Sequence, residues 1–389
     1  MRRLTGVLLL SAVPALGGST DVDAGVEGFY YRTAATALNR DGVLGLGEDA
    51  GILRGTLHAK QTLGSARAVL SGFVERTYGG RKDQTRWRAR QAYVQYTWGS
   101  AFSLRAGKQR ISWGSGFAWN PTNRIEPPKN PLNTSLEQEG ALAARMDWTP
   151  ASWTGLILVA ARGDTAAGDL PFPIPQTRRR TAAVRARFLV KDTDVAVVFS
   201  GGKDQRTLVG FDLGRDVLFL TAHAEGALYR GAELGPPRDG ETFLRLATGL
   251  LWSHEETSLS LEYFYNGEGY DGAAFDAYLA GLDAAHRRRD VPGYLAAASR
   301  PYSGGLGLRR HYLHASWMRS LEGGRWTFAA RGAAGLADGG VALTPGVGYA
   351  PRGNVTLQLD GVALLGPGDS EYRLAPIRGA VQARVKVLF

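Results

Sequence analysis

Hydrophobic and polar residues alternate with a period of two along most of this 389-residue chain. Near its end Val381, Ala383, Val385, Val387 and Phe389 share one parity, while Gln382, Arg384 and Lys386 share the other. Successive side chains of a strand point to opposite faces, so this segment is a strand with one apolar and one polar side. The same alternation predicts eighteen strands, at residues 22–36, 51–62, 65–77, 86–98, 102–111, 139–148, 153–162, 180–190, 194–201, 206–214, 217–229, 242–253, 257–267, 307–320, 325–336, 340–350, 354–366 and 377–389, with sixteen as the next count. Short connections, at 63–65, 99–101, 149–152, 191–193, 215–216, 254–256, 321–324 and 351–353, alternate with longer ones. Two connections are long, 111–138 and 267–306. The second holds Phe275, Tyr278, Leu279, Leu282 and Ala285 at helical spacing, then Arg287, Arg288 and Arg289, with Pro292 as the stop. The fold class expected is all-β, a sheet closed on itself so that no edge is left unpaired.

The start of the chain bears on where such a sheet resides. Arg2 and Arg3 precede an apolar run at 4–16 that is too short to span a bilayer and ends in small residues, the pattern of a secretory signal peptide over residues 1–17. Residues 18–389 then form one domain. The chain has no cysteine, which excludes a lipoprotein anchor, disulfide staples and any thiolate nucleophile or ligand. Trp98, Phe102, Trp148, Trp153, Trp252, Trp326, Tyr349 and Phe389 lie beside short turns or at the last residue, each on the apolar parity of its strand. That is the position of an aromatic girdle at a membrane interface. The expectation is a closed antiparallel transmembrane β-barrel in a bacterial outer membrane, with short periplasmic turns and two long extracellular loops.

The last strand, ending on an aromatic residue, resembles the assembly signal of bacterial outer-membrane barrels, which implies the barrel-assembly machinery as a partner. The stretch from Gly107 to Gly114 (Gly-Lys-Gln-Arg-Ile-Ser-Trp-Gly), followed by Asn120-Pro121-Thr122-Asn123-Arg124, resembles a segment of porin-like outer-membrane channels, including alginate-export-type barrels. Glu262 to Gly267 is similar to a later strand of such proteins. The resemblance implies that the loop after residue 111 folds inward and narrows the pore. Arg105 and Gln109 then become wall residues of the constriction, and Trp113, Asn120, Asn123 and Arg124 its loop lining. The alternative is that Gly107, Gln109 and Trp113 only brace the loop.

Charge sharpens this reading. The chain carries +10, and residues 51–130 hold fourteen Lys and Arg against three Asp and Glu. Parity turns Arg54, His58, Lys60, Arg67 and Arg105 inward, giving one basic wall that would enrich anions. Arg88 and Arg90 fall on the outward parity, as expected of cations that meet lipopolysaccharide phosphates among the outer-membrane lipid. On the opposite wall Glu225, Arg245 and Glu262 point inward and are spaced for a cross-strand ladder, as a transverse field or as a stiffening ion-pair network.

Three catalytic readings fall away. Gly267 to Gly272 matches G-x-G-x-x-G, but no βαβ unit surrounds it. His311 and His314 face opposite sides of one strand, so they are not a metal pair. No convergent Ser, His and acid set is visible. The cations alternate with apolar residues instead of forming a contiguous basic ribbon, so no nucleic-acid partner is expected. No cofactor or metal is implied. The expected function is passive, anion-preferring diffusion of small polar solutes. The alternatives are a plugged structural or surface-binding barrel and, less favoured, an outer-membrane enzyme.

Overall fold

The computed structural model describes residues 19–43, 45–80, 83–126, 139–164, 178–203, 205–232, 240–298, 300 and 307–389. The proposed signal peptide and Pro127, Pro128 and Pro131 of the first long loop lie outside the described residues. Eighteen strands follow in order: β1 (Ser19–Thr33), β2 (Leu46–Leu63), β3 (Ala66–Gly80), β4 (Gln84–Trp98), β5 (Phe102–Gln109), β6 (Ala141–Ala151), β7 (Thr154–Asp164), β8 (Arg178–Val190), β9 (Thr193–Gly202), β10 (Gln205–Val217), β11 (Leu220–Arg230), β12 (Thr242–His254), β13 (Thr257–Asn266), β14 (His311–Leu321), β15 (Trp326–Gly335), β16 (Val341–Arg352), β17 (Val355–Leu365) and β18 (Ile377–Leu388). Each pairs antiparallel with its successor, and β1 pairs with β18, so the sheet closes.

The two faces divide as lipid requires. Val26, Leu57, Leu70, Val94 and Leu142 are exposed on the outside, while Glu27, Arg54, Glu75 and Glu225 are buried within. Apolar outside and charged inside inverts a soluble protein and matches a membrane barrel. At the short-turn end Trp98, Phe102 and Trp148 are consecutive cross-strand partners. Trp326 opposes Tyr349 with ring centroids 4.3 Å apart. This row is the inner interfacial girdle.

Two local differences from the alternation have physical causes. The turn expected at Arg215 and Asp216 is instead Leu218-Phe219, because the β10–β11 ladder runs on through Arg215↔Ala222, Asp216↔Thr221 and Val217↔Leu220. The Thr221 hydroxyl donates to Asp216 at 2.6 Å and holds that polar pair in the ladder. In β4 the register with β3 shifts between Ser71↔Gln91 and Gly72↔Ala89, a bulge centred on Arg90. An extra residue reverses the parity beyond it. Arg88 therefore opposes the interior residue Phe73, and Trp87 faces out, 66% exposed. The expectation of Arg88 and Arg90 as lipid-facing cations is corrected. Arg90 is buried with its guanidinium 4.7 Å over the Phe73 ring and 3.5 Å from Glu27, and Arg88 pairs with Glu139 at 3.0 Å.

The second long loop folds into helices α1 (Gly272–Arg287) and α2 (Val291–Ala298). Asp271 caps α1 by accepting from the Ala274 amide. Phe275, Tyr278, Leu282 and Ala285 form its buried face, with Leu279 at the margin. Pro292 does not stop α1, as expected, but sits in the first turn of α2, where its missing N–H costs nothing. The break falls at Arg289, which adopts φ 57°. The helices pack on Leu38, Leu308 and Leu374, and Tyr294 donates to the Ala37 carbonyl. The β1–β2, β13–β14 and β17–β18 connections are thus joined into one extracellular cap.

A candidate pore constriction

The chain leaves β5 at Gln109, whose side-chain amide donates to the Ala143 carbonyl at 2.9 Å. From there to residue 126 it lies against the inner wall. Ile111, Trp113 and Ile125 pack on Ala141, Ala143, Val159, Ala183, Val198 and Leu208 of β6 to β10, and on Ala227 and Tyr229 of β11. Trp119 continues the contact, stacked on Phe264 at 4.9 Å and near Tyr312 of β14. The loop therefore crosses the inner face from β6 to β14, half of the circumference. Small interior residues make room for it. A side chain at Gly210 would come within 2.7 Å of Thr122 and 2.8 Å of the Gly226 carbonyl.

Two carboxylates fasten the loop. Glu225 accepts from the Gly116 amide at 3.1 Å, the Thr122 amide at 2.8 Å and the Thr122 hydroxyl at 2.6 Å. Glu262 accepts from the amides of Phe117, Ala118 and Trp119, the last two at 3.0 Å, and also contacts His223 Nε2 at 3.0 Å. Gly114, at φ +89°, passes so close that a Cβ would meet the Glu225 carboxylate at 2.5 Å. The carboxylates satisfy backbone donors that the inward fold takes out of water.

The polar loop residues face the loop itself. Asn120 donates to the Trp113 carbonyl at 2.7 Å and Asn123 to the Ile111 carbonyl at 2.9 Å. The Trp113 ring nitrogen donates to the Thr122 carbonyl, and Arg124 lies 5.8 Å from the Tyr229 ring centroid. The expected Glu225–Arg245–Glu262 ladder does not form, because the loop takes both carboxylates. Arg245 turns instead to Asn266 and Glu268.

The basic wall divides into two parts. Arg54 is enclosed, its guanidinium 4.9 Å from Phe29 and 4.7 Å from Phe73, with Glu75 at 2.8 Å. Glu27 draws in Arg90 and also Arg384 at 3.1 Å, so this patch is ion-paired. Lys60 reaches Asp21 at 2.7 Å and His58 is half-buried beside it on β2. Closer to the periplasm than the loop, Arg67, Gln95, Arg105 and Arg145 are consecutive cross-strand partners on β3 to β6. Arg67 is exposed and the two other arginines are half-buried. Arg105 donates to Gln95 at 2.9 Å and stands over Tyr93 at 4.9 Å. Arg145 was not singled out by sequence reasoning. Its parity with Ala141, Ala143 and Asp147 was the available signal.

The architecture matches solved structures over nearly its whole length. Pseudomonas aeruginosa OccK3 (OpdO) aligns with TM-score 0.59 at 10% identity, over 95% of this chain and 96% of that one. Acinetobacter baumannii OccAB3 gives TM-score 0.58 at 11% identity, over 95% and 99%. Pseudomonas aeruginosa OccK2 (OpdF) in complex with glucuronate gives 0.56 at 12%, over 96% and 98%. The fold is that of an eighteen-stranded outer-membrane porin. At these identities the likeness is one of fold. No protein-family model and no curated protein matches the chain. Within this porin fold the inward loop, its two carboxylate anchors and the arginine row form the candidate constriction.

Proposed function

We propose that this barrel is a passive outer-membrane channel for small anionic or polar solutes, with carboxylates favoured. The in-register row of Arg67, Arg105 and Arg145 carries the reading. Three cations share one height of the interior wall, and among the described residues only Arg145 of the three forms an ion pair, with Asp147 at 2.5 Å. Fixed charge in a narrow aqueous space of low-dielectric walls raises the local concentration of anions. The glucuronate held by OccK2, a small carboxylate, supports the same class of solute. Gln109, Trp113, Asn120 and Asn123 serve this role by setting the position of the loop, and Glu225 and Glu262 by anchoring it.

Planar-bilayer recording under a salt gradient tests the proposal. The expected wild-type reversal potential favours chloride, and Arg105→Glu shifts it toward cations. A cation-selective wild type overturns the solute class. The second reading, a plugged structural barrel, draws on the fastened loop and the helical cap. It moves ahead if purified, folded protein conducts nothing.

A further inference from the structure

The lipid-facing wall of β5 to β9 carries a feature that solute passage does not use. Arg162 on β7 and Arg180 on β8 are direct cross-strand partners. Both are exposed on the outer parity, next to Ala160 and Ala182. Neither has an anionic partner among the described residues. Like charges directly opposite on one face repel, so the pair is unfavourable unless an anion lies between them. Lys203, also exposed, follows β9, where its carbonyl accepts the Arg180 amide at 3.2 Å. Below the pair the outward positions turn small. Ala106, Ala144, Ala160, Ala182 and Gly201 are successive partners across five strands. Ala144, Ala160 and Ala182 of this row floor a shallow recess of about 690 Å³ edged by Arg162, Arg180 and Lys203.

Depth places this edge at the outer leaflet. Arg162 and Arg180 lie two residues from the extracellular ends of β7 (Asp164) and β8 (Arg178), beyond Ala160 and Ala182, the last apolar outward positions of these two strands. The guanidinium groups therefore stand where the headgroup phosphates of the outer leaflet begin. We infer that Arg162, Arg180 and Lys203 form a binding site for a phosphorylated glycolipid of that leaflet. A phosphate oxygen bridges the two guanidinium groups through charge-assisted hydrogen bonds, and an acyl chain lies over the alanine floor. A second copy of the chain is disfavoured as occupant, because it would need an acidic patch to meet this edge.

The test uses full-length folded protein in nanodiscs containing diphosphorylated lipid A, monophosphorylated lipid A or phosphatidylglycerol. The variants are Arg162→Gln/Arg180→Gln and a control, Lys191→Gln/Arg215→Gln, which removes two exposed cations at the periplasmic end, one in the β8–β9 turn and one near the end of β10. Retained lipid is read by native mass spectrometry after detergent exchange. Wild type and control should retain diphosphorylated lipid A, with the double variant roughly 30-fold weaker. Equal retention by the double variant overturns the inference. So does equal retention of phosphatidylglycerol by wild type. Heat-modifiability gives a second readout. In lipid-free detergent the double variant should be at least as stable as wild type, because repulsion is removed, and lipid A should stabilise wild type more. A double variant less stable than wild type without lipid would show an internal role for the pair and also overturn it.

Discussion

Removing Glu262 should release the constriction loop. Its carboxylate accepts the amides of Phe117, Ala118 and Trp119. Glu262→Ala leaves these three buried donors without an acceptor. Each costs about 1–3 kcal/mol, and non-additivity favours the low end, so the fastened state should lose about 3 kcal/mol. At about 1.4 kcal/mol per tenfold, its population relative to a released loop falls roughly 150-fold. Trp119 keeps its stack on Phe264, so some apolar adhesion survives. Single-channel recording should then show higher and noisier conductance, and trypsin should gain access to Arg110 and Arg124. Trp119→Ala supplies an independent route to the same released state if Glu262→Ala yields little folded protein. Folded Glu262→Ala with wild-type conductance and wild-type trypsin resistance would refute the anchoring argument.

Further outcomes can be checked in the same preparations. Arg54→Met strips the buried partner from Glu75, so urea unfolding should show a loss on the order of 3 kcal/mol, since Arg90 and Arg384 still serve Glu27. Burial pushes the Glu371 carboxyl, in the β17–β18 connection, up to about 7 from the ordinary 4.5. The folded state therefore binds a proton that the unfolded state releases near 4.5, and the associated stability, on the order of 3 kcal/mol, is full below that pH and fades as pH rises through 7. Melting at pH 5 and pH 8 should reveal this slope in the wild type and its absence in Glu371→Gln. Arg145→Glu should move ion selectivity in the same direction as Arg105→Glu, because the two are direct partners on the wall.

The strands were legible because lipid enforces the alternation. An outward position such as Val94 or Leu142 meets hydrocarbon, and a polar residue there costs free energy on every strand. The helix face of Phe275, Tyr278 and Leu282 was legible for the same reason, a periodic apolar surface that must be covered. Parity gives only the direction of a side chain. Glu225, Arg245 and Glu262 face inward, but their partners depend on the path of a loop that has no period. One signal did exist. Ala141, Ala143, Val159, Ala183 and Val198 are apolar or small at inward positions, which a water-filled wall does not require and a covered wall does. The bulge at Arg90 was illegible to alternation, which assumes that no residue is inserted.

That bulge acts as a phase correction in the wall. Toward the periplasm from it Val94, Tyr96 and Trp98 face lipid on even numbers; toward the outside Trp87 faces lipid on an odd one. Deleting one residue there would leave the β4 backbone able to pair, yet exchange the surroundings of every side chain on its outer half. Arg86 and Arg88 would enter the bilayer, at a cost ranging from about 0–1 kcal/mol near the interface to about 2–4 at the midplane, and Trp87 would enter the lumen. Glu75 would lose Arg86 and Glu139 would lose Arg88, leaving Arg54 and Lys108 as their remaining counter-charges. A one-residue insertion or deletion in this part of the barrel should therefore be tolerated in the connections and not inside β4, where it would misplace side chains in space as well as in sequence.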